Sequence, residues 1–165
     1  MTDVRKDLEA KTMTITAEFE APIDRVWKLW ADPHQLERWW GPPSYPATVV
    51  DHELMPGGRV TYFMTGPEGN RSHGWWRLIA VDAPSRLVFE DGFADDEGRP
   101  KDDMPTTTNV VTLSQLSTGK TRMVIETTFP TTEAMEQILE MGFEEGISSS
   151  LAQIDHLLNE DVAAS

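Results

Sequence analysis

Cysteine is absent from the 165-residue chain, which excludes disulfides and thiolate metal sites. No run of about 18 apolar residues occurs, so no membrane insertion is expected. Bases are scarce: 14 Lys and Arg stand against 28 Asp and Glu, for a net charge of −14. Such a surface repels phosphates, so nucleic acid is not an expected partner. The start, Met1-Thr2-Asp3-Val4-Arg5-Lys6-Asp7, lacks the apolar run of a signal peptide, and a cytoplasmic protein is expected. Motifs for chemistry are missing too. His34, His52, His73 and His156 never pair at i,i+4, and neither a Gly-rich phosphate cradle nor a Gly-x-Ser-x-Gly elbow occurs. Neither a metal nor a cofactor is expected.

What is present reads as one domain. Residues 1–12 show no periodicity and are expected to form a flexible tail. Met13 to Glu20 alternates apolar and polar, the pattern of a half-buried strand. Ile23, Val26, Trp27 and Trp30 then fall at helical spacing after Pro22. Asp32-Pro33 closes this helix and opens another, with Leu36, Trp39 and Trp40 as its apolar stripe. From Pro46 the period changes to two. Strands are expected over 48–54, 59–65, 74–81, 86–91, 107–116 and 121–129, joined by turn sequences short enough for hairpins. One connection, 92–105, is long and acidic; it reads either as a solvated loop or as a lid over a cavity mouth. A single long helix is expected from 131 to about 160, with Thr132 as its cap, followed by a tail over 161–165.

On a helical wheel of that last element, Leu139, Gly142, Gly146 and Ser150 coincide. The centre of its apolar face is therefore almost bare of side chain. Each glycine costs a helix interior about 1 kcal/mol relative to alanine, so something must compensate. Either the helix sits tight on the sheet, or a vacant space lies beneath it. The abundance of aromatics at strand positions favours a ligand cavity.

These residues resemble a known family. Arg25-Val26-Trp27-Lys28-Leu29-Trp30-Ala31-Asp32-Pro33 with Trp39-Trp40-Gly41-Pro42 is similar to the start of the SRPBCC superfamily. Pro56-Gly57-Gly58-Arg59, Arg86-Leu87-Val88-Phe89, Gly119 to Met123 and Met141 to Gly146 resemble a narrower branch. That branch is related to the C-terminal domain of the activator of the ninety-kilodalton heat-shock protein ATPase. The resemblance spans about residues 13–160. It implies an α+β helix-grip fold: a curved antiparallel sheet of six or seven strands around a long C-terminal helix, with two short helices after the first strand. It also implies a hydrophobic cavity between sheet and helix. Ile147 stands where many relatives carry Trp, and Met55 where many carry Arg.

The expected ligand is a small hydrophobic molecule, with Trp40, Tyr62, Met64, Trp76, Phe89, Phe93, Phe143 and Ile147 as its wall. No catalytic residue is assigned. A cyclase-like or hydrolase-like enzyme would need a titratable group in the cavity, for which His52, His73 and Tyr62 are the candidates. A co-chaperone-like role would use the acidic loop against a basic partner. Contact with a chaperone or with a second copy of the chain is the corresponding partner expectation.

Overall fold

The computed structural model describes residues 2–164, and side chains over 3–160. Its first element replaces the expected flexible tail. Strand β1, Thr2–Asp7, pairs antiparallel with β2, Thr12–Phe19, from Thr2↔Ala17 to Asp7↔Thr12. Among the described side chains of this strand only Val4 is a hydrophobic packed on the core, so β1 carries no period-two signal of its own. Its backbone bonds to an edge hold it in place. In β2 the alternation is realised: Met13, Ile15, Ala17 and Phe19 are buried and their neighbours are not.

Helices α1, Ile23–Ala31, and α2, Pro33–Trp39, follow. The Asp32 side chain accepts from the His34 backbone N–H at 2.9 Å, and Pro33 occupies the first turn of α2. Val26, Leu29, Trp30, Leu36 and Trp39 are buried beneath these two helices. The remaining strands are β3 Ala47–His52, β4 Arg59–Thr65, β5 Arg71–Asp82, β6 Arg86–Ala94, β7 Thr107–Ser117 and β8 Lys120–Thr128. With β1 they make an eight-stranded antiparallel sheet in the order β1-β2-β8-β7-β6-β5-β4-β3. The molecule is α+β, consistent with the helix-grip fold.

The acidic connection is shorter than expected, because β6 runs on through Phe93 to Ala94. Beyond it, Asp95 Oδ1 accepts from the backbone N–H groups of Glu97 and Arg99, both at 2.9 Å. Arg99 also pairs with Asp95 and Glu97, so part of the acidic run neutralises itself.

The expected single C-terminal helix is three: α3 Thr132–Glu140, α4 Phe143–Ala152 and α5 Ile154–Ala164. Gly142 makes the first break. Its φ of +88° is left-handed, and its N–H bonds the Leu139 carbonyl at 3.1 Å, ending α3 and opening α4. The apolar spacing continues through the break, which hides it from a periodicity reading. The N-cap of α3 is Thr131, one residue before the expected Thr132; its hydroxyl accepts from Ala134 N–H at 3.0 Å. The expected tail over 161–165 continues as helix to Ala164, and Ser165 lies outside the described residues. Among the described residues no helix is long and apolar enough to cross a membrane.

Candidate functional site

The site begins with a tryptophan cluster where α1 and α2 meet the sheet. Trp30 packs edge-on against Trp39 at 4.8 Å, Trp40 against Trp76 at 4.8 Å, and Trp76 stacks on Phe89 at 4.1 Å. Trp39 Nε1 donates to the Leu29 carbonyl at 2.9 Å. The indole N–H groups of Trp40 and Trp76 are buried without a hydrogen-bond partner.

Above this cluster lies a cavity of about 350 Å³, between β4–β6 on one side and α3 and α4 on the other. That volume falls within the range of roughly 300–1,000 Å³ common for small-molecule sites. The sheet supplies Tyr62, Met64, Gly74, Asp91 and Phe93; the helices supply Ile138, Phe143, Gly146 and Ile147; Trp40 closes the inner end.

Six of the eight expected wall residues thus line the cavity: Trp40, Tyr62, Met64, Phe93, Phe143 and Ile147. Trp76 and Phe89 do not. They face the same side of the sheet, but they stack on each other beneath Trp30 and Trp40 and belong to the core. Trp75 points to the opposite face, as alternation demands, and its indole N–H donates to the Phe93 carbonyl at 3.0 Å.

The bare stretch of the last helix has two explanations in one segment. Gly142 is a turn residue. Gly146 is a true helix-interior glycine, and a Cβ added to it would meet nothing within 4 Å. Close packing therefore does not account for it; the space beneath it is the cavity. The far half of α4 is held by polar bonds instead. Ser150 Oγ donates to the Trp40 carbonyl at 2.9 Å, and Gln153 Nε2 donates to the Gly41 carbonyl at 2.6 Å.

Of the titratable candidates, His52 lies elsewhere. Its Nε2–H donates to the Trp30 carbonyl at 3.0 Å, which pins the ring away from the cavity. Asp51 and Glu53 are exposed. His73 lines the outer end of the cavity, beside an adjoining recess of about 270 Å³ bordered by Arg71 and Lys101. Tyr62 stands inside. Its ring lies across Gly74, where a Cβ would come within 2.4 Å of the hydroxyl oxygen, so glycine is what allows the ring its place.

Asp91 is the cavity residue that sequence reasoning missed. The Tyr62 hydroxyl donates to its Oδ1 at 3.3 Å. Burial pushes the Asp91 carboxyl up to about 7, against the opposing hydrogen bonds from Tyr62 and the Gly92 backbone. Burial, and then the nearby Asp91 charge, push the Tyr62 hydroxyl well above the usual tyrosine range. The signal was available: Leu87 and Phe89 face inward, and parity puts Asp91 and Phe93 on the same face. Taking Asp91 as the end of a strand before an acidic loop concealed it. Among the described residues no cluster of three His, Asp or Glu is placed to hold a metal ion.

Comparison with known proteins gives the chain its relatives. The family model described as Activator of Hsp90 ATPase homolog 1-like protein matches residues 20–159. The crystal structure of Ms6760 from Mycobacterium smegmatis is 54% identical, with a TM-score of 0.87 over 94% of this chain and 95% of that one. A solution structure of a protein from Arthrobacter aurescens is 48% identical, with a TM-score of 0.91 over 96% and 91%. The AHSA1 protein of Silicibacter pomeroyi, at 20% identity and a TM-score of 0.72 over 91% and 99%, shares the fold. No curated protein matches. With residues 20–159 matched, well over half of its length, the chain belongs to the Activator of Hsp90 ATPase homolog 1-like family.

Proposed function

We propose that the chain binds a small, largely apolar molecule between β4–β6 and α4. The observation that carries this reading is the open space beneath Gly146, continuous with a cavity walled by Trp40, Met64, Phe93, Phe143 and Ile147. An empty apolar chamber forfeits dispersion contacts on every wall, and a ligand restores them. Each Å² of apolar surface it buries contributes about 25 cal/mol before the costs of binding.

Native mass spectrometry of freshly purified protein is the direct test, since a retained ligand reports its own mass. A saturable, one-per-chain response to an apolar fluorescent dye is expected alongside. Gly146→Leu, which projects a side chain into the cavity, is expected to abolish that response with the fold intact. Dye binding that never saturates, or that is indifferent to Gly146→Leu, overturns the reading.

A second reading, an enzyme acting on a hydrophobic substrate, is favoured by the Asp91 carboxyl. A buried acid that titrates near neutrality is suited to general acid–base work. Its test is turnover that Asp91→Asn removes.

A further inference from the structure

The second recess, of about 270 Å³, lies where β5 begins and the β6–β7 connection passes. Its polar lining is Arg71, Ser72 and His73 from β5, with Asp96 and Lys101 from the connection. A single acid among these groups is unusual in a chain of 28 acids and 14 bases. Elsewhere the bases are engaged by carboxylates: Arg77 by Glu90, Arg86 by Asp82, Lys120 and Arg122 by Glu18. Within the connection it is Arg99, not Lys101, that takes Asp95 and Glu97. Among the described residues no carboxylate lies within ion-pair distance of Arg71 or Lys101.

Both cations are held in place by other means. The Arg71 guanidinium lies over Phe63, 4.4 Å from the ring centroid, and Phe63 packs against His73 at 5.6 Å. The register explains this stack. Phe63 of β4 pairs with His73 of β5, and Arg71 is the preceding residue on the same side of β5. A stacked guanidinium keeps its in-plane N–H groups available, in the fork that fits two oxygens of one anion. Lys101 is anchored through its backbone, whose N–H donates to the Phe93 carbonyl at 2.8 Å, beside the Ala94↔Pro100 bridge. A guanidinium and an ammonium thus border one concavity from two separately fixed segments, with the Ser72 hydroxyl as a further donor.

We propose that this recess is an oxyanion site that takes a phosphate group, free or as the monoester of a small molecule. Arg71 forks two phosphate oxygens, Lys101 answers the second negative charge, and the Ser72 hydroxyl and a His73 ring N–H donate from β5. A planar carboxylate is satisfied by one guanidinium, whereas a phosphate dianion makes use of both cations. Asp96 repels the anion and keeps its affinity modest. The site goes beyond the apolar-ligand reading and does not depend on it. Recess and cavity share Ser72, His73 and Phe93 at their boundary, but Arg71 and Lys101 border the recess alone.

The test titrates the whole chain, without any apolar ligand and at low ionic strength, with inorganic phosphate, glycerol 3-phosphate, acetate and glycerol. Backbone amide NMR shifts are the readout. Phosphate in at least one form is expected to saturate, with shifts concentrated on residues 71–73 and 100–102; the tighter of the two forms names the source. Its affinity is expected to exceed that of acetate at least about tenfold, and glycerol is expected to shift nothing. Lys101→Met and Arg71→Met, at exposed positions, are each expected to weaken phosphate about tenfold. Arg71→Lys keeps the charge without the fork and is expected to fall between. Asp96→Asn is expected to tighten phosphate several-fold, a gain that a merely structural role would not produce. Shifts that never saturate or scatter over the surface overturn the proposal. So do acetate binding as tight as phosphate and an Asp96→Asn variant that binds no tighter. The dye response and its loss in Gly146→Leu are read separately, so failure here leaves the apolar cavity standing, and failure there leaves this site standing.

Discussion

Replacing Asp91 by Asn tests how the carboxyl is held. The side chain keeps its shape and its acceptor for the Tyr62 hydroxyl, but it can no longer ionise. In the folded protein the carboxyl titrates at about 7, against an ordinary value of 3.8. A group raised in this way favours the folded state fully below its unfolded value and loses that contribution as pH rises to the folded value. Stability should therefore decline between a pH of about 4 and about 7 and be level above. At about 1.4 kcal/mol per tenfold, the separation sets an upper bound of about 4 kcal/mol. Hydration through the cavity and an effective dielectric near 20 reduce this to roughly half. Asp91→Asn is thus expected to match the parent at a pH of about 4.5. By a pH of about 8 it should exceed the parent by ~2 kcal/mol, or about 4–8 °C in Tm. Urea unfolding followed by tryptophan fluorescence across that range measures both curves. Other carboxylates, such as Glu18 beside Arg122 and Asp95 with its backbone donors, are held low in both proteins and cancel in the difference. Parallel curves, with no divergence toward alkaline pH, would refute the account of Asp91.

Further outcomes concern the glycines. Gly146→Ala is expected to stabilise the protein by about 1 kcal/mol in urea unfolding, since the helix gains propensity and the new methyl meets nothing within 4 Å. Gly142→Ala is expected to cost about 1–2 kcal/mol by the same measurement, because its φ of +88° suits only glycine. Gly74→Ala is expected to cost about 1–3 kcal/mol, since a Cβ 2.4 Å from the Tyr62 oxygen must displace the ring.

The fold was legible where burial imposes a period. Met13 to Phe19 alternates in sequence and in space, so its strand could be read directly. Strand β1 could not, because an edge strand with one core contact is specified by its neighbour's backbone. The split of the last helix was hidden because Phe143 and Ile147 keep the apolar phase that Met135 and Leu139 set. In the site, the wall was legible as inward-facing aromatics. Which of them touch the void was not: Trp76 and Phe89 have the right parity and lie too deep. Asp91 was legible by parity, yet an acid beside an acidic loop invites a solvent assignment. The energetics of that residue come from enclosure, which one strand's sequence does not reveal.

The break at Gly142 makes α4 a self-contained panel. Phe143, Gly146, Ile147 and Ser150, all of which line the cavity, stand on this one ten-residue helix. Single replacements along it can rescale the chamber while the sheet, with Tyr62 and Asp91, keeps its chemistry. One exchange of a side chain on this helix changes the girth of the cavity and leaves the sheet as it is.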